Sequence, residues 1–388
     1  MPWPFRNSPQ SLAAEPEESP SPSTRFAFRL FRELARSDAT SNVFFSPSSV
    51  MLCLALVHEL ASGETRRAMA QTLEIAGLDV AKLAIEIDRL KSAFRPRTDA
   101  EVAFANSLWL SNHVRIPDEL AARLRGLYES ELAALDFGGP DSLSTINGWV
   151  NEKTRGKISR IVNQLSPLAA LIAINAVYFK GPWMKPFRRE LTHDGPFTNA
   201  AGKTKQLPMM RQGGDYLYYE NEQLQMAVLP YKGDLAMYVM LPAEGIDGSQ
   251  FSQAVSSGSW ESWLAHSKRV EGSVQLPRFK VDYDAELKTP LSALGMESAF
   301  DQNRAEFELV HTDRPPVWID RVIHRAMAEV NEEGTEAAAV TATTLAFMSM
   351  PRKPPRTFTM IVNRPFLAVI RDLATGTILF MGWIADPQ

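Results

Sequence analysis

Apolar positions in the first half of the chain recur with helical spacing. Ala27, Leu30, Phe31 and Leu34 fall three and four residues apart, with Arg25, Arg29, Arg32, Glu33 and Arg36 on the other face, which predicts an amphipathic surface helix. Next, Ser46-Pro47-Ser48-Ser49 leads into residues 50–61, which are apolar almost all round. Ser46 suits the cap and Pro47 the first helical position, so this second helix is expected to be central and buried. A third is predicted over residues 146–162, with Ile146, Trp149, Val150, Ile158 and Ile161 on one stripe and Glu152, Lys153, Arg155 and Lys157 elsewhere.

From about Ala170 the pattern changes to that of strands: ALIAINAVYF, then LQMAVLPY and LAMYVML around the Lys232-Gly233-Asp234 turn, then SVQLPRFKV, FTMIV, FLAVI and ILFMGWI. Antiparallel sheets are expected there. Helices mostly first and strands mostly later, without βαβ alternation, argue for an α+β fold. No repeat or Gly/Ser linker divides Thr24 from Gln388, which predicts one domain over 24–388. The preceding residues 1–23 are dominated by Pro, Ser and Glu and read as a disordered leader.

Composition narrows the function. The 388 residues carry 41 Lys plus Arg against 45 Asp plus Glu, a formal charge of -4, which disfavours partners that are nucleic acids or anionic membranes. The longest uncharged run, residues 161–179, contains Asn163, Gln164, Ser166, Pro167 and Asn175 and reads as buried loop and strand, not as a membrane span. The single cysteine, Cys53, cannot form an internal disulfide and is expected in the core. With no apolar run of signal-peptide type near the N-terminus and no Asn-x-Ser/Thr sequon, a cytoplasmic or prokaryotic setting is favoured over an extracellular one.

Motifs for catalysis are missing from the sequence. There is no Gly-x-Ser-x-Gly, His-Glu-x-x-His or Gly-x-Gly-x-x-Gly. Gly202-Lys203-Thr204 imitates the end of a phosphate loop, but Phe197 stands where its first glycine belongs, so a hairpin turn is expected. His58, His113, His193, His266, His311 and His324 show no metal-ligand spacing. The unusual stretch is 334–350, uncharged from Ala337 to Met350, made of small, β-branched and then bulky residues. It lies between an acidic strand-like stretch and the basic connector 351–356. Strand chemistry inside a long connection is the feature that demands an explanation.

Seven ordered motifs supply one. NVFFSPSSV (42–50), INGWVNEKTRGKI (146–158), INAVYFKGPW (174–183), LPYKG (229–233), LPRFKV (276–281), EEGTEAAA (332–339) and NRPFLAVI (363–370) resemble the motifs of serpins, in serpin order and spacing. Small departures are Trp383, where Arg often follows the last glycine, Asn331, where Asp is common, and the leader.

The resemblance implies three β-sheets, about nine helices and an exposed reactive loop over about 332–356. It implies a serine-protease inhibitor acting as a suicide substrate, not an enzyme, with no cofactor, no metal and a monomeric state. A cysteine protease is the second partner class, and a non-inhibitory chaperone or small-molecule carrier is the competing reading. In the implied mechanism the protease cleaves the loop and becomes an acyl-enzyme, and the loop inserts into the main sheet before water releases it.

Carried onto this sequence, the hinge is Glu332, Gly334, Thr335, Ala337, Ala338 and Ala339. Period-two alternation turns Thr335, Ala337, Ala339 and Thr341 to the core on insertion and Glu336 outward. Before cleavage the side chain at 335 is expected in solvent. The shutter under the sheet is Ser46, Ser49, Asn175 and His324, and the breach, where insertion starts, is Trp183 with Arg278 paired to Glu332. Counting 17 residues inclusive from Glu332 puts the scissile bond between Met348 and Ser349, with Phe347 the alternative specificity residue. Either suits an elastase-, chymotrypsin- or subtilisin-like pocket and not a trypsin-like one. Arg352, Lys353, Arg356 and Arg364 read as a solvated connector in preference to an exosite.

Overall fold

The computed structural model describes residues 19–37, 40–313, 316–335 and 357–388. Among these, three sheets, nine α-helical segments and one 3-10 turn form an α+β architecture, the last α-helical segment being broken at Gly295, where φ is 117°. The largest sheet has nine strands. It is antiparallel except where Thr357–Ile361 runs parallel to Lys268–Pro277. The main sheet has six, in the order Phe279–Glu286, Ile319–Val330, Gly334–Thr335, Leu171–Pro182, Glu101–Ser111 and Glu131–Leu135. A two-stranded ribbon pairs Val114–Arg115 with His311–Thr312.

The buried helix is Pro47–His58, every residue of which is buried, packed between Leu171–Pro182 and Glu101–Ser111 of the main sheet and Ile378–Ile384 of the largest sheet. Pro47 is at its start as expected, but Ser46 makes no side-chain cap. Its hydroxyl has no partner among the described residues, and its backbone N–H is the group that bonds to the sheet. The first helix, Pro22–Ser37, begins two residues inside the expected leader and is more deeply packed than a surface helix, with Phe26, Phe28, Leu30 and Phe31 all buried.

The helix expected over 146–162 stops at Lys153. Arg155 and Gly156 take left-handed backbone, and Thr154 Oγ1 accepts the Ile158 N–H. The chain then folds back. Asn147 Oδ1 accepts from the N–H groups of Ile161 and Val162, at 2.7 and 3.0 Å, so Ile158, Ile161 and Val162 rejoin Ile146 and Val150 in one apolar cluster over the main sheet. The helical spacing was real, but its second half is completed by a loop.

Two corrections concern strands. Glu101–Ser111 and Glu131–Leu135, which pair in parallel, lie in the half of the chain that reads as helical, and beyond Ala170 two pairings are parallel where antiparallel ones were expected. The Gly202-Lys203-Thr204 segment is the predicted hairpin turn, between His193–Thr198 and Thr204–Glu220. Cys53 is buried, and burial pushes its thiol up to about 12.

Candidate functional site

The candidate site is the seam in the middle of the main sheet. Over most of their length Ile319–Val330 and Leu171–Pro182 pair directly in parallel, from Ile319 opposite Leu171 to Ala328 opposite Phe179. At one end they part, and Gly334–Thr335 is seated between them, antiparallel to both: Thr335 opposite Val330 and Gly181, Gly334 opposite Pro182. The chain thus turns after Val330 and starts back down the seam.

Glycine is required at the turn. Gly334 has φ 144°, and a Cβ there would lie 2.2 Å from the Gly181 carbonyl oxygen. Thr335 is fully buried, with its Oγ1 3.0 Å from the Tyr231 hydroxyl. This corrects the expectation that position 335 stays in solvent before cleavage. The reason is that Gly334 and Thr335 already pair with the strands on either side of them.

Trp183 lies under this end of the seam, stacked on Tyr231 with ring centroids 4.1 Å apart. Its indole N–H donates to the Asn331 carbonyl at 2.9 Å, and its backbone N–H donates to the Glu333 carbonyl. Glu332 accepts from Arg278 Nε at 2.7 Å and from the Thr192 hydroxyl at 2.6 Å, and Glu333 accepts from Arg189 Nε at 2.7 Å. Burial raises the Glu332 carboxyl, but the hydrogen bonds from Arg278 and Thr192 outweigh it and hold it below the usual carboxylate range.

Midway down the seam His324 stands opposite Asn175. The fully buried imidazole accepts the Ser46 backbone N–H on Nε2 at 3.2 Å, so it is neutral, carries its proton on Nδ1 and donates it to Asn175 Oδ1. Burial holds its pKa down to about 3. The Asn175 amide donates to Ser49 Oγ and to Asn106 Oδ1, and Ser49 Oγ donates to Asn106 Oδ1 at 3.2 Å. Asn106 completes the network but did not stand out in the sequence, because the Glu101–Ser111 strand was not recognised. Its signal was an amide inside the run EVAFANSLWLS.

The structure therefore brings Ser46, Ser49, Asn175 and His324 into one network, and Glu332, Gly334, Thr335, Trp183 and Arg278 into another. Ala337, Ala338, Ala339, Thr341, Phe347, Met348, Ser349, Arg352, Lys353 and Arg356 lie outside the described residues. Arg364 is not part of a solvated connector: it is half-buried and donates to the Pro242 carbonyl at 2.7 Å. Among the described residues no group of three His, Cys, Asp or Glu could hold a metal ion, and no helix is long and apolar enough to cross a membrane.

A family model described as serpin (serine protease inhibitor) matches residues 21–387. The chain belongs to the serpin family. Among its relatives, an uncharacterised serpin-like protein of Thermococcus kodakarensis is 36% identical over 372 residues, covering 94% of this chain and 84% of that protein. The leukocyte elastase inhibitor of Bos taurus is 31% identical over 96% of this chain and 100% of its own length. Among solved structures, the thermophilic serpin tengpin in its native state matches with a TM-score of 0.87 at 26% identity, over 94% of this chain and 93% of that one. Human thyroxine-binding globulin matches with a TM-score of 0.83 at 26% identity, over 95% and 98%.

The geometry of this serpin's seam has room for a further strand. A strand continued from Thr335 would replace one parallel pairing by two antiparallel ones, which are slightly more stable per residue. In the observed register, position 337 would come opposite Phe179 and Ala328, and position 341 opposite Asn175 and His324.

Proposed function

We propose that this serpin is a suicide-substrate inhibitor of a serine protease with apolar specificity, cut between Met348 and Ser349. The supporting observation is the seating of Gly334–Thr335: two residues of the connection already lie in the position of a new central strand. In the proposed step the protease serine oxygen bonds to the Met348 carbonyl carbon and the Ser349 nitrogen leaves as an amine. The freed segment then continues down the seam, carrying the ester-linked protease with it. Small uncharged residues at 337, 339 and 341 match the apolar and polar surroundings that the register gives them.

Position 341 has a particular task. Opening the seam breaks the His324–Asn175 hydrogen bond, and each group left unpaired costs about 1–3 kcal/mol. The Thr341 hydroxyl, on the same face as Thr335, can both donate and accept there. Insertion thus breaks the network and then repairs it.

Incubation with elastase-, chymotrypsin- and subtilisin-like proteases should give complexes that survive denaturant, and the released C-terminal peptide should begin at Ser349. A peptide beginning at Met348 would move the specificity to Phe347. Met348→Arg should redirect inhibition toward trypsin-like enzymes. A non-inhibitory carrier would instead form no such complex, and cleaving its loop would leave its melting temperature unchanged.

A further inference from the structure

The helix Val80–Ala93 carries an apolar strip that helix formation does not account for. Val80 is 86% exposed and Ile85 68% exposed, with Ala81 and Ala84 exposed between them. Among the described residues these two are the only exposed large hydrophobics that share an element; Leu127, Leu168, Met184, Leu309 and Ile361 lie singly elsewhere. β-Branched side chains lower helix propensity, so exposed Val and Ile cost the helix while burying nothing. The inward face, with Ile87, Leu90 and Ala93, accounts for its packing on the body.

The chain enters the fold on this same helix. Glu86 accepts the Ser23 backbone N–H at 3.1 Å at the start of the first helix, and Arg89 donates to the Ser23 hydroxyl at 2.6 Å. Ser19, four residues earlier, is exposed. The eighteen residues before it contain Met1-Pro2-Trp3-Pro4-Phe5-Arg6, two aromatic side chains each preceded by a restricting proline and followed by a cation. From Glu86 to Val80 is about 9 Å along the helix, and a tether of the length from Phe5 to Ser19 can reach about 20 Å. Asp79 and Asp88, both well exposed, lie beside the strip and are ion-paired with Lys82 at 3.9 Å and Arg95 at 3.6 Å.

We propose that the N-terminal leader docks back on this helix, with Trp3 and Phe5 covering Val80, Ala81, Ala84 and Ile85, so that the segment before the first helix is a strap on the body of the same molecule. This assignment is independent of the inhibitory reading. Its occupant is chosen by tether and chemistry: the segment that carries Trp3 and Phe5 joins the described chain at Ser19, beside this helix, and supplies apolar surface for the strip to bury.

Disulfide trapping in the full chain tests the proposal, because the one native thiol, Cys53, is buried and unreactive. In Asn7→Cys/Ala84→Cys, which keeps the large apolar contacts, mild oxidation should form an intramolecular disulfide at least ten times faster than in Asn7→Cys/Leu168→Cys. Adding Trp3→Ser and Phe5→Ser should bring the rate down to that of the control. Hydrogen exchange along 80–93 should likewise quicken severalfold in Trp3→Ser/Phe5→Ser. Equal rates in the two cysteine pairs, rates that ignore the serine substitutions, or predominantly disulfide-linked dimers would overturn it, the last by showing that a second copy covers the strip.

Discussion

The two halves of the seam are held by different chemistry. At the end where Gly334–Thr335 enters, the strands are already apart, and the hinge is tied at the rim by two buried carboxylates, Glu332 and Glu333, each paired with a solvent-exposed guanidinium, Arg278 and Arg189. In the middle the strands pair directly, and a neutral, fully buried network of His324, Asn175, Ser49 and Asn106 lies beneath them. The rim guanidiniums are already hydrated in part and keep that hydration when the pairs separate, whereas the buried network has no water to turn to. The main resistance to further insertion is therefore expected in the middle, and the end acts as a start already made.

The largest effect expected on this contrast comes from Thr335→Arg. Because Thr335 is buried before cleavage, the guanidinium would have to leave the sheet, expelling the hinge, or be buried at a cost of several kcal/mol. Each 1.4 kcal/mol added to the insertion barrier diverts flux about tenfold toward hydrolysis of the acyl-enzyme. The stoichiometry of inhibition should rise at least tenfold, and hydrogen exchange at Gly181 and Trp183 should increase even in the uncleaved protein. Parental stoichiometry would remove the seam from the mechanism.

Acid should load the middle before the end. His324 titrates near 6.5 in the unfolded chain and about 3 when buried, so between these values only the unfolded chain takes up its proton. Stability then falls as pH drops from 6.5 toward 3, by about 1.4 kcal/mol per unit. His58, lowered to about 4 by burial and then by Arg66, acts in the same direction. Glu332, held below its ordinary 4.5, contributes stability above that value and loses it only below. Thermal melts from pH 7 to 5 should therefore fall, and His324→Gln should show a shallower decline; an unchanged slope would mean that the central imidazole is not buried neutral.

His324→Ala at neutral pH leaves the Asn175 carbonyl and the Ser46 N–H without partners, at about 1–3 kcal/mol. Faster conversion to latent or polymeric forms on mild heating is expected, read by native electrophoresis. Arg278→Gln acts at the other end, where the guanidinium is half exposed and a value of about 1–2 kcal/mol is appropriate; its conversion should quicken less than that of His324→Ala, and the reverse order would invert the comparison. The smallest effect belongs to Tyr231→Phe, which removes one hydroxyl from Thr335 and should cost about 1 kcal/mol while keeping the Trp183 stack. Differential scanning calorimetry resolves such a shift.

The sequence by itself determined the fold class, the buried helix behind Pro47 and the identities of most residues along the seam, because helical spacing, strand texture and ordered motifs are local properties of the chain. Tertiary structure decided what locality cannot carry. The stripe running from Ile146 to Ile161 is continuous in space but is built from a helix and a loop, since a polar side chain, Asn147, turned the chain back. Asn106 became part of the network only when the Glu101–Ser111 strand was laid beside Asn175. Thr335 was legible as core-facing from its period, but its burial in the uncleaved chain depends on whether Ile319–Val330 and Leu171–Pro182 part at their ends. At that end Trp183 stacks on Tyr231 and Tyr231 reaches the Thr335 hydroxyl, a packing relation that no single segment encodes.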